Sequence, residues 1–211
     1  EQDQQLTSLT NAGQYDQAYK MLLPLAQQGD THAQVGLGWL YDYGQGVPQD
    51  YAQARAWYEK AAAKGNAMAQ YDLGLIYNAG QGVPVDYAKA RAWYEKAAAQ
   101  GDAMAQYRLG ELYQHGQGVA QDNAKARAWY EKAAAQGLAD AQFKLGQLYS
   151  MGDGIAQDYT QARTWFEKAA TQGHASAQYA LGVVYGNGLG VAKDDRRART
   201  WYEKAAAQSN E

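Results

Sequence analysis

The sequence predicts an all-α solenoid from three observations. Five of the six tryptophans recur every 36 residues, at Trp57, Trp93, Trp129, Trp165 and Trp201. A fixed period in this range is typical of repeat architectures, in which each repeat buries its apolar face only against its neighbours. Each period also contains two stretches with helical spacing of apolar residues, and a glycine-rich segment separates them.

The first half of each period predicts one amphipathic helix. In the first copy, its apolar positions 33, 37, 40, 41 and 44 follow the i, i+4, i+7, i+8, i+11 spacing of a single helix face. Gly38 recurs in every copy on this helix, where glycine costs about 1 kcal/mol relative to alanine. We therefore expect an aromatic ring of a neighbouring helix to lie against this glycine.

The second half of each period predicts a second helix. An aspartate precedes it in every copy, where a carboxylate can accept the unpaired amide N–H groups of the first turn: Asp50, Asp86, Asp122, Asp158 and Asp194. A glycine suited to a left-handed cap ends it at Gly65, Gly101, Gly137 and Gly173. Because the tryptophan of this helix never varies, we expect Trp129 to lie in the core, with a loss of about 3–5 kcal/mol on truncation to alanine.

The segment between the two helices is predicted to be a turn. Gly44-Gln45-Gly46 has the G-x-G spacing with which a phosphate-binding loop begins. However, no third glycine follows at the required spacing and no strand pattern precedes it. A helix cap explains the glycines better.

Six segments make up the predicted domain. Residues 1–30 are interpreted as a degenerate N-terminal capping repeat, and five repeats follow at 31–66, 67–102, 103–138, 139–174 and 175–211. The last copy replaces a conserved-looking tyrosine by Asp195 and the final glycine by Ser209, as expected of a terminal helix. The sequence is therefore expected to be complete at its C-terminus.

Composition limits the classes of function. Nineteen basic and 22 acidic residues give a net charge of −3, with no basic stripe for nucleic acid. Without cysteine there is no disulfide, thiol nucleophile or thiolate metal site. The three histidines lack metal-ligand spacing, and Glu111 with His115 forms the one candidate acid/base pair, at i, i+4. We expect no enzyme activity, cofactor, metal or membrane span.

The repeated motif resembles that of the Sel1-like family, a subclass of the tetratricopeptide-type repeats. Over about residues 31–208 it reads A-x-x-x-L-G-x-x-Y-x-x-G-x-G-V, then D-x-x-x-A, then W-Y-x-K-A-A. The resemblance implies stacked antiparallel helix pairs, a right-handed superhelix, a bacterial source and a role in holding other proteins. Such bacterial proteins are often exported, and the sequence begins at Glu1, so we expect a periplasmic protein of a Gram-negative bacterium, with a cytoplasmic protein as the alternative.

The resemblance also places the binding surface. Tetratricopeptide-type repeats line a concave groove with their first helices, which directs positions 32, 35, 39, 42 and 43 of the first copy inward. A helical wheel agrees, because these positions lie opposite the apolar face, and they vary between copies. The predicted partner-binding residues are Trp39, Tyr43, Met68, Tyr71, Leu75, Asn78, Tyr107, Arg108, Glu111, Gln114, His115, Phe143, Lys144, Gln147 and Tyr179.

Two features of this surface have alternative interpretations. A ladder of aromatic residues, Tyr71, Tyr107, Phe143 and Tyr179, either packs between repeats or contacts the partner. Trp39 either belongs to an apolar contact site or is covered by the N-terminal repeat.

The groove is also expected to be graded. It is apolar around Trp39 and Tyr43 and polar around Glu111 and Gln114. Arg108 and Lys144 are expected to flank the polar half and to speed association with an acidic partner.

The leading functional hypothesis is a protein-interaction module. The chain, monomeric by itself, would hold another protein or a peptide segment in the groove, as an adaptor, an assembly factor or an inhibitor of the immunity type. The alternative is binding of a carbohydrate or cell-wall fragment on the groove aromatics.

Overall fold

The chain folds into α-helices only, in a computed structural model that describes residues 2–209. The described residues form α1 (Gln2–Asn11), α2 (Tyr15–Gln27), α3 (Thr31–Tyr43), α4 (Tyr51–Ala63), α5 (Ala67–Ala79), α6 (Tyr87–Ala99), α7 (Ala103–His115), α8 (Asn123–Ala135), α9 (Ala139–Met151), α10 (Tyr159–Thr171), α11 (Ala175–Asn187) and α12 (Asp195–Gln208). The all-α fold class predicted from the sequence is confirmed.

The helices pack in the order of the chain. Two compact units are present, unit 1 up to Asp102 and unit 2 from Ala103 onwards. Within each unit, the extensive helix contacts join helices that are neighbours in sequence. This packing is that of an α-solenoid, in which local pairs form successive layers.

The predicted helix caps are present in the structure. The carboxylates of Asp50, Asp86, Asp122, Asp158 and Asp194 each accept the backbone N–H three residues ahead, at 3.0–3.1 Å. The glycines that follow the second helices adopt φ of +90° to +92°, at Gly65, Gly101, Gly137 and Gly173. The sequence therefore predicted both ends of the second helices correctly.

A ring from the second helix occupies the space left by the glycine in the first helix. A Cβ added to Gly38 would lie 2.5 Å from the ring of Tyr58, and one added to Gly74 would lie 2.3 Å from that of Tyr94. The same contact is made by Gly110 with Tyr130, Gly146 with Phe166 and Gly182 with Tyr202. The expected aromatic contact is confirmed, and the ring comes from the same repeat.

The expectation that Trp129 lies in the core is wrong. All five repeated tryptophans are half-buried, and the ammonium of the lysine three residues ahead lies 4.4–4.6 Å from each ring centroid. Trp57 packs on the cluster formed by α2 and α3, and Trp93 on the cluster formed by α4 and α5. The tryptophan therefore seals the edge between helix pairs, whereas the adjacent Tyr130 is fully buried.

Buried glutamines join successive repeats. Gln70 donates from Nε2 to the carbonyl of Ala62 at 3.2 Å and accepts from Nε2 of Gln100 at 2.9 Å. Gln100 also donates to the carbonyl of Gly65 at 2.8 Å. The arrangement recurs at Gln142 with Gln172. These hydrogen bonds give buried polar groups partners and set the position of one repeat relative to the next.

We expect Gly74→Ala to destabilise the chain by about 2–4 kcal/mol, because the new methyl would collide with the buried ring of Tyr94. Gly186→Ala is the matched control. A Cβ at this helical glycine meets its nearest neighbour at 3.6 Å, so improved helix propensity should make the change neutral or stabilising by up to about 1 kcal/mol. Urea denaturation followed by circular dichroism measures both. Equal losses would contradict the assignment of the ring contact.

Candidate functional site

The predicted binding residues lie on the first helix of each repeat, and this surface carries most of the exposed large apolar side chains. Among the described residues, seven such side chains are exposed. Five lie on first helices, at positions that the repeat pattern directed towards the groove: Trp39, Tyr43, Met68, Met151 and Tyr179. We call the surface formed by these positions the first-helix face. The other two, Val85 and Tyr202, lie in a turn and on α12.

In unit 1 the first-helix face is aromatic. The ring centroid of Trp39 lies 5.0 Å from that of Tyr43 and 5.8 Å from that of Tyr15, which belongs to α2. Trp39 keeps 37% of its surface exposed and Tyr43 keeps 59%. The N-terminal segment therefore covers part of Trp39 and leaves part of it exposed, and the apolar contact site stays a prediction. Leu75 and Asn78 are half-buried on α5.

The aromatic ladder pairs within repeats and not chiefly between them. Each member contacts a ring of the second helix of its own repeat at a centroid distance of 5.5–5.9 Å, in the pairs Tyr71 with Tyr94, Tyr107 with Tyr130, Phe143 with Phe166 and Tyr179 with Tyr202. Phe143 also stacks at 4.9 Å on His174, the last residue of its own repeat, which caps the N-terminus of α11. The ladder is thus largely structural, although Tyr179 is 60% exposed.

In the polar part of the predicted surface, several side chains form hydrogen bonds and ion pairs with other residues of unit 2. Arg108 donates to Glu111 at 3.0 Å, and Gln114 accepts a hydrogen bond from the hydroxyl of Tyr130 at 2.7 Å. Arg108, which is expected to act as a flanking cation, thus has a counter-ion within its own helix, and its role in association stays a prediction. Glu111 likewise pairs with Arg108 and not with His115. His115 is exposed, while Lys144 and Gln147 are half-buried on α9.

The first-helix face of unit 2 becomes apolar again near α11, which the expected gradient did not include. A groove of about 910 Å³ is bounded by α9, α11 and α12. It contains the predicted Phe143, Gln147 and Tyr179, and also Met151 and Val183. Met151 and Val183 occupy the repeat positions of Tyr43 and Trp39, so the periodicity contained the signal for both residues.

Two carboxylates lie on the first-helix face of unit 1, and neither is among the predicted partner-binding residues. Asp42 on α3 accepts a hydrogen bond from the hydroxyl of Tyr58 at 3.1 Å, and burial raises its pKa. Asp72 on α5 is half-buried, and burial together with the negative charges of Asp42 and Asp102 raises its pKa to about 7. Asp72 occupies a position that varies between copies, as Gly36, Arg108, Lys144 and Ala180.

The charges of Asp42 and Asp72 also affect the pKa of Tyr43. Burial raises the pKa of the Tyr43 phenol, and the charges of Asp42 and Asp72 add to the effect. The exposed ring and the carboxylates therefore belong to one local environment, formed by α3 and α5. Within the described residues, no group of three or more histidine, aspartate or glutamate side chains has the arrangement of a metal site.

The sequence matches the model of a known repeat family. The profile of the Sel1 repeat matches residues 31–66, 67–102, 103–138, 139–174 and 175–210. The chain belongs to the Sel1 repeat family. Sel1 repeats are protein-interaction modules, and the family is generally a non-catalytic scaffold. Comparison with curated proteins gave no match.

Solved structures of bacterial Sel1 repeat proteins share this fold. A Sel1 repeat protein from Oxalobacter formigenes is 34% identical with a TM-score of 0.90, over 99% of this chain and 83% of that one. A protective antigen of uropathogenic Escherichia coli, c5321, is 38% identical with a TM-score of 0.59, over 93% of this chain and 50% of its own. The immunity protein Pa5087 of Pseudomonas aeruginosa is 24% identical with a TM-score of 0.58, over 92% of this chain and 74% of that one, a likeness of fold alone.

No helix among residues 2–209 combines the length and apolar character that a membrane span requires.

We expect Asp72→Asn to stabilise the Sel1 chain above neutral pH. The pKa of Asp72 is about 7 in the folded chain against 3.8 in the unfolded one, so the folded chain retains a proton between these values and loses stability as the pH rises through them. The variant should gain on the order of 1–3 kcal/mol at pH 8 and about zero at pH 4. Urea denaturation across this pH range tests the prediction. Asp153→Asn, in an exposed turn, is the control, and an equal gain there would contradict it.

Proposed function

We propose that this Sel1 repeat protein binds a segment of another protein on its first-helix face. The observation that carries the proposal is the concentration of exposed large apolar side chains on that face, five of the seven among the described residues. Large exposed apolar groups gathered on one surface are typical of a contact site, and buried aromatic anchors supply much of the energy of protein interfaces.

The difference between recurrent and variable residues within the repeat supports the proposal. The second helices carry the conserved ring, the aspartate cap and the terminal glycine, and each of these has a structural contact. Trp39 and Tyr43 of α3 have no such recurrent role, because every other copy places a different residue at their positions. Side chains that the scaffold does not require, yet that expose apolar surface, are best explained by a partner that covers them.

A protein segment fits the geometry better than a carbohydrate does. Sugar binding on the aromatics needs ring faces that are open for stacking, but the ladder rings each contact a ring of the second helix in their own repeat. The groove of unit 2 is lined mainly by apolar side chains, with Gln147, Ser150 and Ser176 among its few polar ones. Such a surface suits the side chains of a peptide better than the many hydroxyl groups of a sugar.

The biological setting that we propose rests on the family resemblance of the repeat motif. We propose a periplasmic protein that acts as an adaptor, an assembly factor or an inhibitor of its partner, with no catalytic step of its own. Each of these roles needs the same physical event, the capture of a partner segment on the first-helix face.

We expect Trp39→Ala to weaken partner binding at least about tenfold without unfolding the chain, because Trp39 is an accessible aromatic anchor. The immobilised full chain captures the partner from a lysate of its source bacterium, and calorimetry then compares the variants. Val85→Ala is the matched control, since Val85 is 50% exposed but lies in the segment between α5 and α6, outside the first-helix face. If Trp39→Ala binds as the original chain does while Val85→Ala fails, the site lies elsewhere.

A further inference from the structure

We propose that the first-helix face of unit 1 recognises a lysine or arginine side chain that the partner presents beside an apolar residue. This inference rests on the proposed function and specifies the chemistry of its partner. The face combines an exposed aromatic and apolar surface with two carboxylates on adjacent first helices.

The apolar part of the site is accessible. Trp39, Tyr43 and Met68 keep 37%, 59% and 61% of their surfaces exposed. Trp39 and Tyr43 lie in contact, with ring centroids 5.0 Å apart. Since such rings offer both apolar area and a negative face, they suit the alkyl stem and the cationic head of a basic side chain.

The carboxylates of Asp42 and Asp72 adjoin this surface. Asp42 precedes Tyr43 in the chain, and the charge of Asp72 acts on the Tyr43 phenol. The charged groups that act on Asp72 are themselves acidic, Asp42 and Asp102, and Asp72 forms no ion pair within the described residues. A cation placed here would relieve both the desolvation and the mutual repulsion of these carboxylates.

The scaffold does not require a carboxylate at this position. The equivalent residue is glycine at Gly36 and alanine at Ala180, and both repeats fold. In unit 2 the equivalent Arg108 has its counter-ion in the chain itself, Glu111 at 3.0 Å. A carboxyl group is thus present at this position in unit 1 although burial disfavours its charged form and no ion pair compensates it among the described residues, which indicates a functional use.

A side-chain cation explains this site better than a metal ion does. No group of three acidic or histidine side chains suited to a metal occurs in the described part of the chain. The chain already places ammonium groups over aromatic rings, as Lys60 does over Trp57 at 4.6 Å. A lysine or arginine of the partner would repeat that contact and add an ion pair with the carboxylates.

The test selects random peptides displayed on phage against the immobilised full chain. The strongest binder is then synthesised with a fluorescent label, and its affinity is measured by anisotropy. The variant Asp42→Asn with Asp72→Asn removes both carboxylates. Asp153→Asn with Asp195→Asn is the matched control, because it removes the same charge from exposed residues of unit 2. Circular dichroism verifies that each variant is folded.

We expect the selected peptides to carry lysine or arginine next to an apolar residue. The Asp42 and Asp72 double variant should bind them at least about tenfold more weakly, and the control double variant within about twofold. Replacing the basic residue of the peptide by glutamine should cause a similar loss, which the double variant should not increase further.

Other outcomes overturn the inference and separate it from the proposed function. Peptides without a basic residue, unchanged affinity in the Asp42 and Asp72 double variant, or no enriched peptide would each contradict it. If Trp39→Ala still weakens the binding of such a peptide at least about tenfold, or of the captured partner where no peptide is enriched, the proposed function stands and only the charge preference fails. If neither change alters the affinity for a selected peptide, both proposals fail.

Discussion

The contact between a tyrosine ring and a glycine determines how every repeat is built. The ring of Tyr58 lies where a side chain at position 38 would be, so the first and second helices approach more closely than two helices with ordinary side chains could. Glycine in a helix costs about 1 kcal/mol, and the fully buried ring offsets this cost many times over through its packing. The contact recurs in all five repeats, with phenylalanine in one of them.

Because this contact and the glutamine links hold the helices in place, the outer surface of the first helix is free to change. The same repeat position is occupied by Gly36, Asp72, Arg108, Lys144 and Ala180 without a change in the fold. Structural demands therefore fall on one face of the helix, and the binding that we propose falls on the other. This separation is what allows a repeat protein to acquire a new partner by substitution of a few exposed side chains.

Partial burial makes the pKa of a side chain on this surface sensitive to neighbouring charges. Asp72 is half-buried near Asp42, so its carboxyl holds its proton to a pH near neutrality, whereas Arg108 at the equivalent position pairs with Glu111. Two ionic side chains at one repeat position thus have opposite consequences, since only one has a counter-ion within its own helix. The difference arises from neighbours in space that vary independently from copy to copy.

The sequence by itself determined the all-α class, the helix ends at Asp50 and Gly65, and the ring against Gly38, because each depends on residues that are close in the chain or recur with its period. It also directed Trp39 and Tyr43 to the exposed face, since helical periodicity separates the two sides of a helix. Only the tertiary structure decided that Trp129 lies at the surface while Tyr130 is buried, that the ladder rings pair within repeats, and that Asp72 shares its surroundings with Asp42. These outcomes depend on which side chains meet across helices, and a repeat period does not distinguish a residue fixed by burial from one fixed by a contact at the edge.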